Sequence, residues 1–464
     1  VRVYLIVFYL TLIIWPALTA ASSLPSFVDH PCADDYSELP QNITCGTLVV
    51  AENPNDKASS PVGLPVVVVK ALQPVEDAAP VIFLHGGPGS HAVTNVRTML
   101  TNARNKPLIA RDQDWIFFDQ RGGRRATPNL NCPDVEMTDA GPVAEQDVQA
   151  LIACGHRFKA AGIDLNHYNA LQSAADIQSL RKALGIGEYH LFGYSNGTRV
   201  ALTTMDHYPD ELVSVVVDSV WPREATWTEG TPTTLANAVR GIIKHCQLNQ
   251  DCQQRYPELE AHVEALAKRF LAAPQAGSDG RLYPATALGA FLMDSGYAKQ
   301  AISFLPQQLE QMYQGNYQVL ESFELADYRS TGAHIAYLCH DEIGFESQAQ
   351  VARNAGDDPI AQLAVKSLEN YFDVCAAYGI KSGPAREALE VKSRIPTLFV
   401  SAEIDPGCPP EFAEATASHF ENGQFVMVPN TTHGVFLESP CARSMVRQFL
   451  LNPKQPVDRA CLAN

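Results

Sequence analysis

Six short stretches of the chain are apolar without alternation: Pro80–His85, Trp115–Asp119, the run from Tyr189 to Gly193, Leu212–Asp218, Ile395–Val400 and Gln424–Pro429. Runs of four to eight apolar residues bounded by turn signals suit strands buried on both faces, which is the situation inside a parallel sheet. Two further β-rich runs, Thr47–Ala51 and Pro65–Lys70, are separated by the polar turn Asn53-Pro-Asn-Asp56 and predict an antiparallel hairpin at the sheet edge. Between Ala170 and Leu184 the apolar positions fall at helical spacing and stop at Gly185, which predicts a helix with a glycine C-cap. Strand, helix and strand in that order imply a right-handed parallel crossover.

The pattern changes in the middle of the chain. From about Pro222 to Ser393 it is rich in Ala, Gln and Leu, with helical periodicity such as Leu259–Phe270, and strand signals resume only at Ile395. The expected organisation is a mostly parallel sheet flanked by helices, an α/β fold, with residues 222–393 as a helical cap inserted between a first core part, 22–221, and a second, 394–464. The stretch before Asn169 reads only as a long polar segment, and no internal repeat is visible.

Composition narrows the setting. With 464 residues, 46% hydrophobic and 18% charged, the chain has ample material for a core. Its 51 acidic against 34 basic residues give a formal net charge of -17, which repels phosphate backbones and anionic membranes and argues against nucleic acid as a partner. The segment Val1–Ser23 has one basic residue, an apolar run and small residues after Pro16, the layout of a secretory signal peptide (1–21) cut near Ala20 or Ala21. An uncleaved membrane anchor is the alternative, against which the run is short and ends in small residues. The 11 cysteines agree with export to a secreted or periplasmic location with no stable membrane association after cleavage. Near neighbours suggest Cys32 with Cys45, Cys132 with Cys154, Cys246 with Cys252, Cys339 with Cys375 and Cys441 with Cys461, although spacing alone does not fix connectivity. Cys408 is left over. No cysteine or histidine spacing indicates a metal site, and no cofactor is implied.

The chemistry centres on Gly193-Tyr-Ser-Asn-Gly197, a G-x-S-x-G pattern at the end of an apolar run, in which a strand turns sharply into a helix and lifts Ser195 to the sheet edge. A serine hydroxyl needs a base in reach, and an imidazole oriented by a carboxylate supplies one. Asp405 follows one predicted strand and His433 the next, which brings both to the carboxyl edge where Ser195 lies, in the chain order Ser, Asp, His. Taken alone, Asp405 also suits a turn before Pro406, and His433 a loop. Strand Pro80–His85 runs straight into His85-Gly-Gly-Pro-Gly89, whose glycines let backbone N–H groups face a cavity. Gly87 N–H and Asn196 N–H are the expected oxyanion donors, with a plain Gly/Pro turn as the alternative. Gln120–Arg125 carries basic residues but no G-x-x-x-x-G-K-[ST] pattern, so it is expected to pack beneath the first glycine loop.

Together, His85-Gly-Gly-Pro-Gly89, Asp119-Gln-Arg-Gly122, Gly193-Tyr-Ser-Asn-Gly197, Asp405-Pro and His433-Gly resemble the α/β-hydrolase peptidases related to proline iminopeptidase. His433-Gly followed by Cys441 and Cys461 is more similar to the secreted tripeptidyl-aminopeptidase branch. The resemblance implies an α/β-hydrolase fold and serine-dependent removal of residues from peptides with a free N-terminus, the α-amine being held by acids of the cap. Cys339-His-Asp341-Glu342 resembles a Cys-x-Asp element of the secreted branch, which makes Asp341 and Glu342 the candidate amine anchors. Two departures stand against strict proline specificity: Asn196 replaces a common Trp, and Gly123-Arg-Arg125 replaces the usual end of the Asp-Gln-Arg-Gly loop. The resulting expectation is an exported serine exopeptidase acting through an acyl-enzyme. A secreted carboxylesterase on the same triad, or a binding protein that keeps the fold without catalysis, are the competing readings. The oligomeric state is not legible.

Overall fold

Sheet pairing follows the apolar runs. A computed structural model describes residues 24–463 apart from 57, 136, 139–140, 143, 299 and 324–328, so the expected signal segment lies outside the described residues. Nine strands form the main sheet: β1 (Ser26–His30), β2 (Ile43–Ala51), β3 (Pro61–Val69), β4 (Val81–Leu84), β5 (Trp115–Phe118), β6 (Tyr189–Tyr194), β7 (Leu212–Asp218), β8 (Thr397–Ala402) and β9 (Gly423–Val428). Their order is β1-β2-β3-β5-β4-β6-β7-β8-β9. From β5 to β9 every pairing is parallel, and the predicted hairpin β2–β3 joins antiparallel to β5. Beyond the hairpin lies β1, the true edge strand. No apolar run announces β1, because an edge strand with outward side chains needs none; its last three residues are exposed.

Within each central strand, alternate residues feed opposite layers. Val81 and Phe83 of β4 join Trp115, Phe117 and Phe192 on one face, covered by α1 (Ala92–Thr101) and the C-terminal helix. Ile82 and Leu84 join Ile116, Phe118 and Leu191 on the other. There, α3 (Ala170–Ala183) and α4 (Asn196–His207) pack beside one another, and Gly185, at φ 66°, ends α3 as the sequence predicts. Between α1 and α3 the polar stretch proves to hold a 16-residue helix, α2 (Glu145–Ala160).

The chain between β7 and β8 carries mainly helices, among them α5 (Trp227–Leu248), α6 (Leu259–Ala272), α7 (Ala285–Tyr297), α8 (Ala301–Tyr313), α9 (Thr331–Asp341) and α10 (Pro359–Tyr378). These helices share one apolar cluster, and Val148, Leu151 and Phe158 of α2 belong to it. Although α2 precedes β6 in the chain, it packs with the inserted helices, so the boundary at residue 221 does not separate the two layers in space. After β9, α11 (Pro440–Leu451) closes the first face of the sheet.

Five disulfides link Cys32–Cys45, Cys132–Cys154, Cys246–Cys252, Cys339–Cys375 and Cys441–Cys461, the near-neighbour pairs. Cys339 and Cys375 tie α9 to α10. Cys408 is buried and outside any disulfide. Among the described residues no helix is long and apolar enough to cross a membrane.

Candidate active site

Ser195 occupies the single residue between β6 and α4, with φ 55° and ψ −128°. A positive φ at a non-glycine residue is strained, and the turn is forced by what surrounds it. A Cβ on Gly197 would lie 2.1 Å from the Leu84 carbonyl oxygen, and one on Gly86 would lie 2.3 Å from Ser195 Cβ. Only glycine allows α4 to start against β4 and the first glycine loop to pass over the serine. The Ser195 N–H donates to the Asp218 carbonyl at 2.9 Å, which fastens the turn to β7.

Asp405 and His433 meet at the same edge, from the ends of β8 and β9. His433 Nδ1 donates to Asp405 Oδ2 at 2.8 Å, while Asp405 Oδ1 accepts from Gly407 N–H at 3.0 Å and Cys408 N–H at 2.8 Å. The carboxylate is thereby fixed from both sides and the ring from one. The histidine loop is held from below: Val435 N–H and Phe436 N–H donate to the two Asp218 carboxyl oxygens at 3.1 and 2.8 Å, and Gly434 N–H to Ser219 Oγ at 2.9 Å. Asp218 thus grips the Ser195 turn through its carbonyl and the His433 loop through its carboxyl group. Burial pushes that carboxyl up to about 6, with the Phe436 and Val435 amides pulling the other way.

A cleft of about 350 Å³ brings Ser195 and His433 together with His85, Gly87, Asp294 and Tyr297. Gly87 adopts φ 52° and its carbonyl accepts from Ser90 N–H at 2.8 Å, so the turn uses the carbonyl side of this residue. Asn196 begins α4, where the first N–H groups of a helix lack intrahelical acceptors. His85 is pushed down to about 4 by burial, which makes it a neutral wall of the cleft; its Nδ1 donates to the Gly86 carbonyl at 3.0 Å. Beneath the loop, Gln120 donates to the His85 carbonyl at 3.0 Å and Arg121 pairs with Asp176 at 2.8 Å, both in the Asp-Gln-Arg-Gly segment.

The inserted helices reach the loops of Asp405 and His433 directly. The Tyr297 ring, at the end of α7, lies 4.6 Å from the His433 ring, and Tyr194 lies 5.3 Å from it on another side. Thr432 Oγ1 donates to the Tyr297 carbonyl at 3.0 Å, and Trp227 Nε1 of α5 donates to the Gly407 carbonyl at 3.0 Å.

Asp341 and Glu342 are not among the residues lining this cleft. Both are buried in the seam between α9 and the sheet layer. Asp341 accepts from Ala170 N–H at 2.9 Å and pairs with His340 at 2.7 Å, while Glu342 pairs with Arg199 of α4 and accepts from Trp221 Nε1 at 2.7 Å. Both oxygens of Asp341 and Oε1 of Glu342 have partners here, away from the cleft in which these acids were expected to meet a substrate amine. The carboxylate at the cleft is Asp294, which sequence reasoning overlooks. Its signal is faint: it is the one charged residue in the helix Ala285–Tyr297. Asp405, Cys408 and His433 also offer donor atoms within 4.8 Å of one another.

Residues 79–440 match the alpha/beta hydrolase fold family, over most of the chain. The chain belongs to that family. A putative hydrolase of Escherichia coli (strain K12), YuaR, is 30% identical to this hydrolase over 145 residues, 30% of the chain and 28% of the relative. The tripeptidyl aminopeptidase of Streptomyces coelicolor is 28% identical over 221 residues, 44% of the chain and 40% of the relative. A proline iminopeptidase of Xylella fastidiosa is 28% identical over 156 residues, 32% of the chain and 37% of the relative. The matched stretches therefore span 28%, 40% and 37% of these relatives' lengths. Among solved structures, the proline iminopeptidase of Mycobacterium smegmatis aligns with 88% of the chain and 98% of its own, at 15% identity and a TM-score of 0.43.

Proposed function

We propose that this hydrolase is an exported serine exopeptidase that releases residues from peptides with a free N-terminus, by way of an acyl-enzyme. Ser195 Oγ attacks the scissile carbonyl as His433 takes its proton, and Asp405, bonded to Nδ1, holds the ring so that Nε2 faces the serine. The oxygen of the tetrahedral intermediate lies between Gly87 N–H and Asn196 N–H. His433 then protonates the leaving amine, and water, activated by the same base, releases the acyl group.

The observation that carries the peptidase reading is Asp294, a carboxylate of the cap in the same cleft as Ser195 and His433. Acyl transfer alone needs no acid there; a protonated α-amine at a fixed distance from the scissile bond does. The tripeptidyl aminopeptidase and proline iminopeptidase relatives support the same reading, and five disulfides support an exported protein.

The test is a matched set of aminoacyl and tripeptidyl reporter amides with free and acetylated N-termini. Free-amine substrates are expected to turn over and acetylated ones to lose most activity, while Ser195→Ala removes turnover by at least about 10³-fold and abolishes labelling by a fluorophosphonate. Equal turnover of both substrate sets would instead identify an esterase-like or endo-acting enzyme. Mass spectrometry of the products reads how many residues leave per cut.

A further inference from the structure

Ten of the 11 cysteines are in disulfides, and the remaining thiol lies three residues after the catalytic acid. Cys408 N–H donates to Asp405 Oδ1 at 2.8 Å, so the turn Asp405-Pro-Gly-Cys408 folds back on its own carboxylate. Donor atoms of Asp405, Cys408 and His433 then fall within 4.8 Å of one another, and the first two residues are buried. A carboxylate oxygen, a thiolate and an imidazole nitrogen are the ligand types of zinc, with bonds of about 2.0–2.3 Å. A tetrahedral ion with such bonds holds its ligands roughly 3.3–3.8 Å apart, so the set is about an ångström from closing on one. Hard cations such as magnesium and calcium prefer oxygen ligands and have no use for the thiol.

We propose that Asp405, Cys408 and His433 form an inhibitory site for zinc or a similarly thiophilic divalent cation, the fourth position being left to water. On binding, the Cys408 thiol loses its proton to solvent and becomes a ligand. His433 is disabled through either nitrogen. Coordination at Nε2 occupies the lone pair that would receive the serine proton, and coordination at Nδ1 breaks the bond to Asp405 and leaves the ring proton on Nε2. The metal therefore acts by withdrawing the base, with no redox change and no covalent product. Inhibition rests on the reading of His433 as base; binding itself does not.

Two measurements separate the parts. Zinc affinity of Ser195→Ala protein, titrated against a chromophoric chelator, is expected to show one site per chain that weakens at least 10-fold in Ser195→Ala/Cys408→Ala. Cadmium added to the Ser195→Ala protein is expected to give an ultraviolet thiolate-to-metal band, which needs no cysteine variant because Cys408 is the one thiol outside a disulfide. Equal zinc affinity in both variants, meaning surface histidines only, or absence of the cadmium band, overturns the site. With Ser195 in place, zinc is expected to inhibit turnover, a chelator to restore it, magnesium to do nothing, and Cys408→Ala to raise the inhibitory concentration at least 10-fold, each protein being normalised to its own activity in chelator. Binding at the thiolate site without loss of turnover would overturn the inhibition and point away from His433 as base, whereas loss of the site alone leaves the peptidase reading intact.

Discussion

Asp294 and the pair Asp341–Glu342 show how the fold sets the surroundings of a single residue. All three are acids in the inserted region, and from the sequence the pair beside Cys339 draws the eye. The difference lies in which donors the fold brings to each. Ala170 N–H and His340 take Asp341, and Arg199 and Trp221 take Glu342, whereas Asp294, which also has interactions of its own, lines the cleft with Ser195 and His433. Sequence spacing carries no information about a donor 142 residues away, such as Arg199, whose guanidinium also reaches the Asp341 carbonyl. Asp294→Asn is expected to raise KM for free-amine peptides by about 10- to 100-fold, the size of a hydrogen-bonded charge contact, while leaving kcat/KM for any acetylated substrate unchanged. Steady-state kinetics on the matched amides checks this. Ser195, Asp405 and His433 were legible for a simpler reason: each stands at the end of an apolar run, and the ends of parallel strands share one edge.

Among elements, the joint between β6 and α4 is the one whose sequence is least negotiable. Replacing a glycine within a helix by alanine usually adds about 1 kcal/mol of stability. At Gly197 the sign is expected to reverse, because the new Cβ would stand 2.1 Å from the Leu84 carbonyl oxygen and 2.7 Å from its carbon, both backbone atoms of β4. Relief requires α4 to withdraw from the sheet, at a cost of about 1–3 kcal/mol for overpacking, and Ser195 moves with it. Gly197→Ala is thus expected to lower the denaturant midpoint and kcat together, measured on the same preparation. Elements buried on two faces were readable because their apolar runs are continuous. Among those that escaped, β1 and α2 are elements whose exposed positions dilute the signal. In α2 the spacing Val148, Leu151, Phe158 is helical, yet Gln149, His156 and Arg157 are interspersed and Asp147 precedes it, and only the helices packed above show what that stripe covers.

For the molecule as a whole, buried carboxyl groups shape how stability responds to pH, and burial raises Asp176 and Glu342 as well as the three that follow. Burial pushes Asp119 up to about 7, Asp218 to about 6 and Glu346 to about 7. A carboxyl whose folded value is raised binds its proton more tightly in the folded state, so its contribution is full below the ordinary carboxyl range and is lost as pH climbs through the raised value. The melting temperature is expected to fall from pH 5 to pH 8, with the net charge of -17 adding repulsion in the same direction; below about pH 6.5 the buried His85 and His190, pushed down to about 4, offset part of the fall. Asp119→Asn isolates one share: for a shift from 3.8 to about 7 the contribution is on the order of 4 kcal/mol, and the variant is expected to flatten the slope between pH 5 and 7. A slope identical to that of the natural protein would show Asp119 ionised throughout. The change of periodicity after Pro222 precedes the run of helices between β7 and β8, but the contacts across the seam were not visible, since they join residues far apart in the chain.

Those contacts bear on how such a chain can change over generations. Tyr297 and Trp227, both in the inserted helices, are bonded to the loops that carry His433 and Asp405. A substitution that tilts α7 to admit a different side chain also tugs on the neighbour of the base, so preference and turnover are inherited as one trait on that side of the cleft. The first glycine loop has no slack either, because a Cβ on Gly86 would stand 2.3 Å from Ser195 Cβ. Altered taste without lost speed is left to positions farther from these ties, which makes them the places to randomise when new variants are sought.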